Sequence, residues 1–241
     1  MKLNKYQVKA LQDAVVQVYK QLQTTPQEII PWWEYKEDDL WRELAACILG
    51  SRVSYELAVK AIQYLWSIGL MELKWSLRDP SGFEKRLIKA LSYPFFHSKK
   101  RAIRRCYPFP FARANHLRRS LEAIYFEGGS IRNILIHSKS GVEARLNLVS
   151  IATGIGPKQA SLFLRNIGYA DDLAVLDTHV LRYIRWIGLV FDYPIRVHSI
   201  KKYERVEKQF RSHAQQLGFS VAQFDIAVWV ATRVAWREFQ V

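Results

Sequence analysis

The sequence of 241 residues predicts an all-α protein, and three observations support this fold class. Apolar residues recur at spacings of three and four, which places them on one face of a helix. Capping residues, glycines and prolines separate these apolar stretches. No run shows the sustained apolar–polar alternation of a half-buried strand. With 49% apolar residues, the chain can also bury a substantial core.

The N-terminal third predicts three helices. The apolar stripe of the first helix consists of Val8, Leu11, Val15, Val18 and Leu22. After a linker, IIPWWEYKEDD, either Asp38 or Asp39 is predicted to cap the second helix, which Gly50 ends. Ser54 is predicted to cap the third helix.

The middle of the chain is interrupted by turn signals, namely DPSG at positions 79–82 and the prolines Pro94, Pro108 and Pro110. Helices resume from about position 112, with one through LRRSLEAIYF, a short one near IRNILI and one over about 142–152. Later helices are predicted in PKQASLFLRN, THVLRYIRWI and VAQFDIAVWVA. We divide the chain into an N-terminal helical extension, 1–35, and a main module, 36–241, with a helical hairpin over 142–168.

The net charge of +14 predicts a polyanionic partner such as nucleic acid. An acidic membrane surface or a merely solvated basic face would also suit this composition. Basic residues are densest between positions 99 and 119. They are Lys99, Lys100, Arg101, Arg104, Arg105, Arg113, Arg118 and Arg119.

Other classes are disfavoured by what the sequence lacks. No apolar run approaches the roughly 20 residues that a bilayer requires, and the N-terminus has no apolar signal-peptide core. Cys47 and Cys106 cannot supply the four thiolates of an iron–sulfur cluster. We therefore expect a cytoplasmic, nucleoid-associated protein without a metal, an iron–sulfur cluster, a cofactor or a membrane partner.

The segment GIGPKQASLFLR joins two predicted helices in a helix-hairpin-helix. Gly154 and Gly156 are predicted to adopt backbone conformations that let consecutive N–H groups converge on a phosphate or on a bridging cation. Pro157 suits the first helical position, where no N–H donor is needed. The turn is thus a candidate anchor for a DNA backbone, although a Gly-x-Gly turn is also simply a tight connection between helices.

Two residues of this region carry the predicted chemistry. Lys158 lies just inside a helix start, where the helix dipole disfavours the ammonium and favours the nucleophilic neutral amine. Asp177 follows the apolar run LAVL and opens the next helix, which makes it a candidate cap. If two helix starts face one cleft, the carboxylate lies near the lysine. The alternatives are an exposed lysine with a solvated charge and an aspartate that only caps.

At these residues the sequence resembles the helix-hairpin-helix DNA glycosylases, and most closely the type 2 8-oxoguanine DNA glycosylase/lyases. The resemblance runs through GIGPKQASLFLRNIGYADDLAVLDTHVLRYI, where that family has its hairpin, a catalytic lysine and an aspartate. It extends to WRELAACILGSRVSYELAVKA, FARANHLRRSLEAIY and FDIAVWVATR, and thus covers roughly 40–235. It implies two helical lobes with an active-site cleft between them.

The resemblance also implies a mechanism. A damaged nucleotide in double-stranded DNA is flipped into the cleft. Asp177 stabilises positive charge on the sugar, Lys158 attacks the sugar carbon, and the resulting Schiff base permits β-elimination. No cofactor is implied, and we expect a monomer.

The resemblance assigns further residues to the site. Trp229 falls where the family has a tryptophan that stacks on the flipped base, although a core tryptophan is an alternative. Asp225 reaches the same pocket or bonds a neighbouring backbone group. Arg52 lies in the loop that enters the gap left by the flipped base, or it binds a phosphate. Gly154, Gly156, Arg104, Arg105 and Arg113 are the other candidate DNA contacts.

Two alternative functions stay open at this stage. The family ends with a short tail whose lysine and carboxylate recognise oxidised guanine, whereas this sequence continues as VAWREFQV. A glycosylase for another damaged, mismatched or modified base is therefore possible. A helix-hairpin-helix protein that binds DNA without cleaving it is the second alternative.

Overall fold

A computed structural model describes residues 3–24, 30–97, 104–190, 197 and 199–238. Twelve α-helices and two short 3₁₀ helices, Trp32–Glu34 and Phe126–Gly128, lie within these ranges, and the predicted all-α fold class is confirmed. The other regular element there is a minimal antiparallel ladder of β1 (Phe96–His97) with β2 (Arg104–Arg105). The helices are α1 (Lys5–Thr24), α2 (Glu37–Leu49), α3 (Tyr55–Ser67), α4 (Leu73–Arg78), α5 (Pro80–Ser92), α6 (Pro110–Tyr125), α7 (Ile131–Ile136), α8 (Gly141–Ile151), α9 (Pro157–Asn166), α10 (Thr178–Trp186), α11 (Ile200–Gln216) and α12 (Val221–Glu238).

The chain divides into two compact units. The first unit combines residues before 30 with residues after 169, and the second unit consists of 30–169. The sequence predicts that 1–35 form a separate extension. In the structure, α1 instead packs along α12 inside the first unit. Leu11 and Val15 of α1 are buried there against residues of α10, α11 and α12, and Tyr19 stacks on Phe219. Burial of this apolar stripe keeps α1 in the fold.

The second unit is built around α2 and α6. Leu40, Trp41 and Leu44 of α2 are completely buried, as are Leu117 and Leu121 of α6. α2 packs against α3 and α9, and α6 packs against α5. These two helices therefore provide the apolar frame on which the hairpin of α8 and α9 is mounted.

The predicted cap of α3 is confirmed, and the predicted cap of α2 is wrong. Ser54 caps α3 through Leu57 N. Neither Asp38 nor Asp39 caps α2, whose N-cap is Lys36, because the Asp38 carboxylate accepts a hydrogen bond from Leu73 N instead.

The DPSG segment at 79–82 marks the break that the sequence predicts, because α4 ends at Arg78 and α5 begins at Pro80. Asp79 caps α5 by accepting a hydrogen bond from Gly82 N, and Pro80 occupies the first helical position. An aspartate followed by proline is a helix-start signal, so the break is a sharp one and the next helix begins at once.

Within the described ranges, no single helix is both long and apolar enough to cross a membrane. The bent pair α11–α12 meets the criteria of length and composition only when its two helices are taken together.

Candidate functional site

The hairpin of the second unit has the geometry of a helix-hairpin-helix. α8 ends at Ile151, α9 begins at Pro157, and the buried Arg145 of α8 donates a hydrogen bond to the Ser161 hydroxyl of α9 over 3.2 Å. Pro157 occupies the first turn of α9, as predicted. The two helices are thus fixed by packing and by a buried polar contact.

The two glycines of the turn differ from each other. Gly154 has φ of +83°, in the left-handed region that favours glycine. Gly156 is extended, with φ of −114° and ψ of 178°. The prediction that both glycines need an unusual conformation is therefore wrong for Gly156, because any residue can adopt an extended backbone. A methyl group at position 156 would meet no atom closer than Gln159 Oε1, at 3.9 Å, so this side of the turn is open.

Helix α6 holds the turn in place. The Ser120 hydroxyl donates a hydrogen bond to the Thr153 carbonyl over 3.0 Å. His116, one turn earlier, packs against Gly154 so closely that an added Cβ would lie 2.2 Å from its Nδ1 atom. Glycine is therefore required at 154 for two reasons, its positive φ and the approach of the His116 ring.

The same helix also holds the loop that follows α2. Arg113, which is 7% exposed, donates a hydrogen bond to the Ser51 carbonyl over 2.7 Å. The buried guanidinium of Arg113 thus holds this loop, and its predicted contact with DNA stays a prediction. Arg52, which follows Ser51 in this loop, has φ of +64°, a backbone conformation that is uncommon outside glycine.

A concavity of about 350 Å³ brings the loop and the hairpin together. Its lining residues are Ser51, Arg52, Phe109, Ala112, Arg113, His116 and Gly154. The structure therefore unites two predicted DNA contacts, Arg52 and Gly154, on one surface. Burial lowers the pKa of His116, and the guanidinium groups of Arg113 and Arg119 lower it further. His116 is accordingly neutral at pH 7.

Lys158 is the second residue of α9 and is partly exposed. The buried Cys47 of α2 is electrostatically coupled to it. Burial raises the pKa of Cys47, the Glu43 carboxylate raises it further, and Lys158 and Arg165 act in the opposite direction. The α9 face that carries Lys158 and Arg165 therefore lies near the Glu43 and Cys47 side chains of α2.

The basic segment 99–119 is only partly described. Lys99, Lys100 and Arg101 lie outside the described residues, and so does the side chain of Arg104. Arg105 is exposed in β2. Arg118 is engaged in structural ion pairs with Glu84 and Glu122.

In the first unit, Asp177 caps α10, as predicted. Its Oδ1 atom accepts hydrogen bonds from His179 N, at 2.8 Å, and from Val180 N, at 2.9 Å. Its Oδ2 atom has no hydrogen-bond partner among the described residues. One oxygen therefore starts the helix, while no described residue bonds the other.

The segment that leads to Asp177 is held by buried side chains. Glu207 accepts a hydrogen bond from Ala174 N at 3.0 Å, and Asp225 accepts one from Val175 N at 2.6 Å. The Tyr203 hydroxyl accepts a hydrogen bond from Leu176 N at 3.1 Å. The structure shows the backbone bond considered for Asp225, and its predicted place in the base pocket stays a prediction. Sequence reasoning missed Glu207 and Tyr203, whose partners lie about 30 residues away along the chain.

Trp229 is only half-buried, which differs from a tryptophan enclosed in the core. Its ring makes an edge-to-face contact with His179, with the centroids 6.3 Å apart. The guanidinium of Arg233 lies 5.0 Å from the Trp229 ring centroid. Trp229 and Asp177 are therefore both adjacent to His179 at the start of α10.

Within the described residues, no group of three or more histidine, cysteine or acidic side chains is arranged to hold a metal ion.

The comparisons with known proteins agree with one another. Residues 25–219 match the Ogg-HhH family model, described as 8-oxoguanine DNA glycosylase. The chain is 30% identical over 196 residues to an 8-oxoguanine DNA glycosylase/AP lyase of Sulfolobus acidocaldarius, which covers 80% of this chain and 82% of that protein. It is 33% identical over 192 residues to the enzyme of the same name from Metallosphaera sedula, covering 78% and 79%.

A solved structure of the Methanocaldococcus jannaschii 8-oxoguanine DNA glycosylase has the same fold. It superposes with a TM-score of 0.70 at 20% identity and covers 93% of this chain and 94% of that chain.

Proposed function

The chain belongs to the Ogg-HhH family of 8-oxoguanine DNA glycosylases, and from this membership we propose that it excises 8-oxoguanine from double-stranded DNA and then cleaves the strand at the abasic site. The observation that carries the proposal is the extent of the match. Residues 25–219 include the hairpin, Lys158 and the Asp177 cap, and the relatives are named glycosylase/AP lyases. The two proposed catalytic residues thus lie inside the matched region.

In the proposed reaction, Lys158 is the nucleophile. Its neutral amine attacks the anomeric carbon of the damaged nucleotide, and the bond from that carbon to the base breaks. The sugar ring opens to a Schiff base, which makes the neighbouring C2′ proton acidic. Loss of that proton expels the 3′ phosphate, and hydrolysis then returns the free lysine. The position of Lys158 at the start of α9, beside the hairpin turn and inside the matched region, supports this role.

Asp177 is proposed to stabilise the positive charge that develops on the sugar as the glycosidic bond breaks. The support is its divided hydrogen bonding, since Oδ1 is used by the helix start and Oδ2 is not bonded within the described chain. Glu207, Asp225 and the Tyr203 hydroxyl accept hydrogen bonds from backbone N–H groups of the segment before Asp177. These bonds hold the Asp177 carboxylate in a fixed position. A preorganised charge of this kind needs no reorganisation during the reaction.

The proposal requires the target nucleotide to leave the base stack. The half-buried ring of Trp229 is proposed to stack on the flipped base. Arg52 is proposed to enter the gap left in the duplex or to hold a phosphate beside it, which its position at the mouth of the concavity supports. The open side of Gly156 allows a backbone phosphate to approach the N–H groups of the turn.

The decisive experiment is covalent trapping. Borohydride reduces a Schiff base to a stable amine, so the wild-type protein is expected to be trapped on a duplex that contains 8-oxoguanine. Lys158→Gln should abolish trapping, because the amide cannot form the imine. Lys208→Gln, an identical change at an exposed position of α11, is the matched control and should trap normally. Equal trapping by Lys158→Gln and the wild-type protein would refute the assignment.

Asp177→Asn separates the two functions of that side chain. Asparagine caps helices as well as aspartate does, so α10 should keep its start and its stability. Loss of the charge should slow base excision by about 10²-fold or more. An unchanged single-turnover rate would show that Asp177 is only a cap.

A different lesion is the second candidate, and one observation favours it. α12 continues through Glu238, and Trp236 in this stretch stacks on Trp186. This segment therefore differs from the lysine-bearing tail that the resemblance implies. Single-turnover excision across a panel of lesion duplexes decides between the two candidates. Clear preference for 8-oxoguanine would exclude the second one.

A further inference from the structure

Three arginines of the first unit form a group that the proposed chemistry does not use. Arg182 lies on α10, and Arg233 and Arg237 lie one turn apart on α12. Arg233 and Arg237 are exposed, and Arg182 is half-buried. We call these three residues the arginine cluster.

Aromatic rings hold part of the cluster in place. The Arg182 guanidinium lies 3.7 Å from the ring centroid of Trp236, and the Arg233 guanidinium lies over Trp229. His179 connects the two, because its Nδ1 atom is 3.5 Å from an Arg182 nitrogen and its ring contacts Trp229. Stacked guanidinium groups lose less freedom when they bind a ligand than freely rotating ones do.

The described part of the chain supplies no ion-pair partner for the arginine cluster. Among the described residues, none of the three guanidinium groups forms an ion pair with a carboxylate within 4.0 Å. The contrast is Arg118 of the second unit, which pairs with two glutamates. Arg233 and Arg237 also face each other at a spacing of i,i+4, where like charges destabilise a helix.

The charges of the arginine cluster affect the pKa of the neighbouring His179. Burial lowers its pKa most, and Arg182, Arg233 and Arg237 all lower it further, while the Asp177 carboxylate acts in the opposite direction. Three cations at one location that have no ion-pair partner among the described residues favour the binding of an anionic ligand there.

We propose that the arginine cluster is a binding site for phosphates of the DNA backbone, next to the sugar on which Asp177 acts. This inference rests on the proposed function. Guanidinium groups bind phosphate oxygens through charge-assisted, bidentate hydrogen bonds. One arginine is enough to recognise the edge of a guanine base. Three neighbouring guanidinium groups are better suited to bind successive phosphates of the backbone.

The test is equilibrium binding as a function of salt concentration. Each phosphate contact contributes about 0.9 to the slope of log K against log salt, so Arg233→Gln with Arg237→Gln should reduce that slope by roughly 1.8. The matched control is Lys201→Gln with Lys208→Gln, two exposed residues of α11 with the same total charge change. It should leave the slope close to that of the wild-type protein.

The choice of duplex distinguishes phosphates from bases. Undamaged DNA, DNA with 8-oxoguanine and DNA with an abasic-site analogue are each titrated. Phosphate contacts predict the same loss of affinity on all three duplexes, and the double Arg→Lys variant should recover most of the slope. A loss confined to the lesion duplex would show that the cluster reads the base and would overturn the proposal. A slope equal to that of the control pair would also overturn it.

Two further measurements distinguish a failure of the phosphate-site proposal from misfolding of the variant and from a failure of the proposed catalytic function. If the double variant is unfolded by circular dichroism, Arg237→Gln alone carries the same test, with an expected decrease in slope of about 0.9. Wild-type cleavage of lesion and abasic duplexes is measured in parallel. A wild-type protein that binds but does not cleave contradicts the proposed function, while the salt slopes still decide the role of the arginine cluster.

Discussion

Replacing Gly154 by alanine should selectively disrupt the hairpin. The residue has φ of +83°, and an added Cβ would lie 2.2 Å from His116 Nδ1 and 2.9 Å from His116 Cβ. The second of these atoms is the root of the side chain, so a rotamer change cannot move it away. The turn must therefore shift relative to α6.

The size of the effect follows from two contributions. A residue with a Cβ costs roughly 1–2 kcal/mol in the left-handed region. Overpacking against a fixed neighbour costs about 1–3 kcal/mol more. Gly154→Ala should thus lower the free energy of unfolding by about 2–5 kcal/mol, a large part of the roughly 5–15 kcal/mol of a typical domain.

Gly156→Ala is the control within the same turn. Its extended backbone suits alanine and its added Cβ has open space, so its stability should stay the same or rise by about 0.4–1 kcal/mol. Urea unfolding followed by circular dichroism measures both variants. Equal urea midpoints for the two variants would refute the reasoning.

Three further predictions concern other parts of the site. Arg52→Gly should raise the free energy of unfolding by up to about 1 kcal/mol, because glycine adopts positive φ without strain. The same change should weaken DNA binding. A variant that is less stable than the wild-type protein would contradict strain at this position. Asp225→Ala should destabilise the protein by about 1–3 kcal/mol, because Val175 N loses its buried acceptor; urea unfolding with an unchanged midpoint would contradict this. Burial lowers the folded-state pKa of His213 below its unfolded value of 6.5, so the unfolded chain takes up the proton first and stability is lost as the pH falls through about 6.5 toward the folded pKa. His213→Gln should reduce the difference between urea midpoints at pH 7 and pH 5, and an unchanged difference would count against this linkage.

Local signals predicted much of the fold and of the site. The starts of α3, α9 and α10 follow from Ser54, Pro157 and Asp177, because a cap or an N-terminal proline acts within one helical turn. Such signals need no knowledge of the rest of the chain.

Contacts between distant residues could not be predicted in this way. Arg113 bonds Ser51, 62 positions earlier, and His116 lies against Gly154 although 38 positions separate them. Asp38 shows the same limit, because the acceptor expected to cap its own helix is used by Leu73 N. One signal was available for His116, since Arg113, His116 and Ser120 share a single face of α6 at spacings of three and four.

The position of α6 between the loop and the hairpin has a consequence for association with DNA. In the proposed complex with DNA, one helix sets the spacing of Arg52 and Gly154, so neither segment has to become ordered when a duplex binds. The separation of these two proposed contact points is already fixed in the free protein. A DNA strand whose phosphates do not match this separation should bind less tightly. The entropic penalty of docking should therefore fall mainly on the nucleic acid.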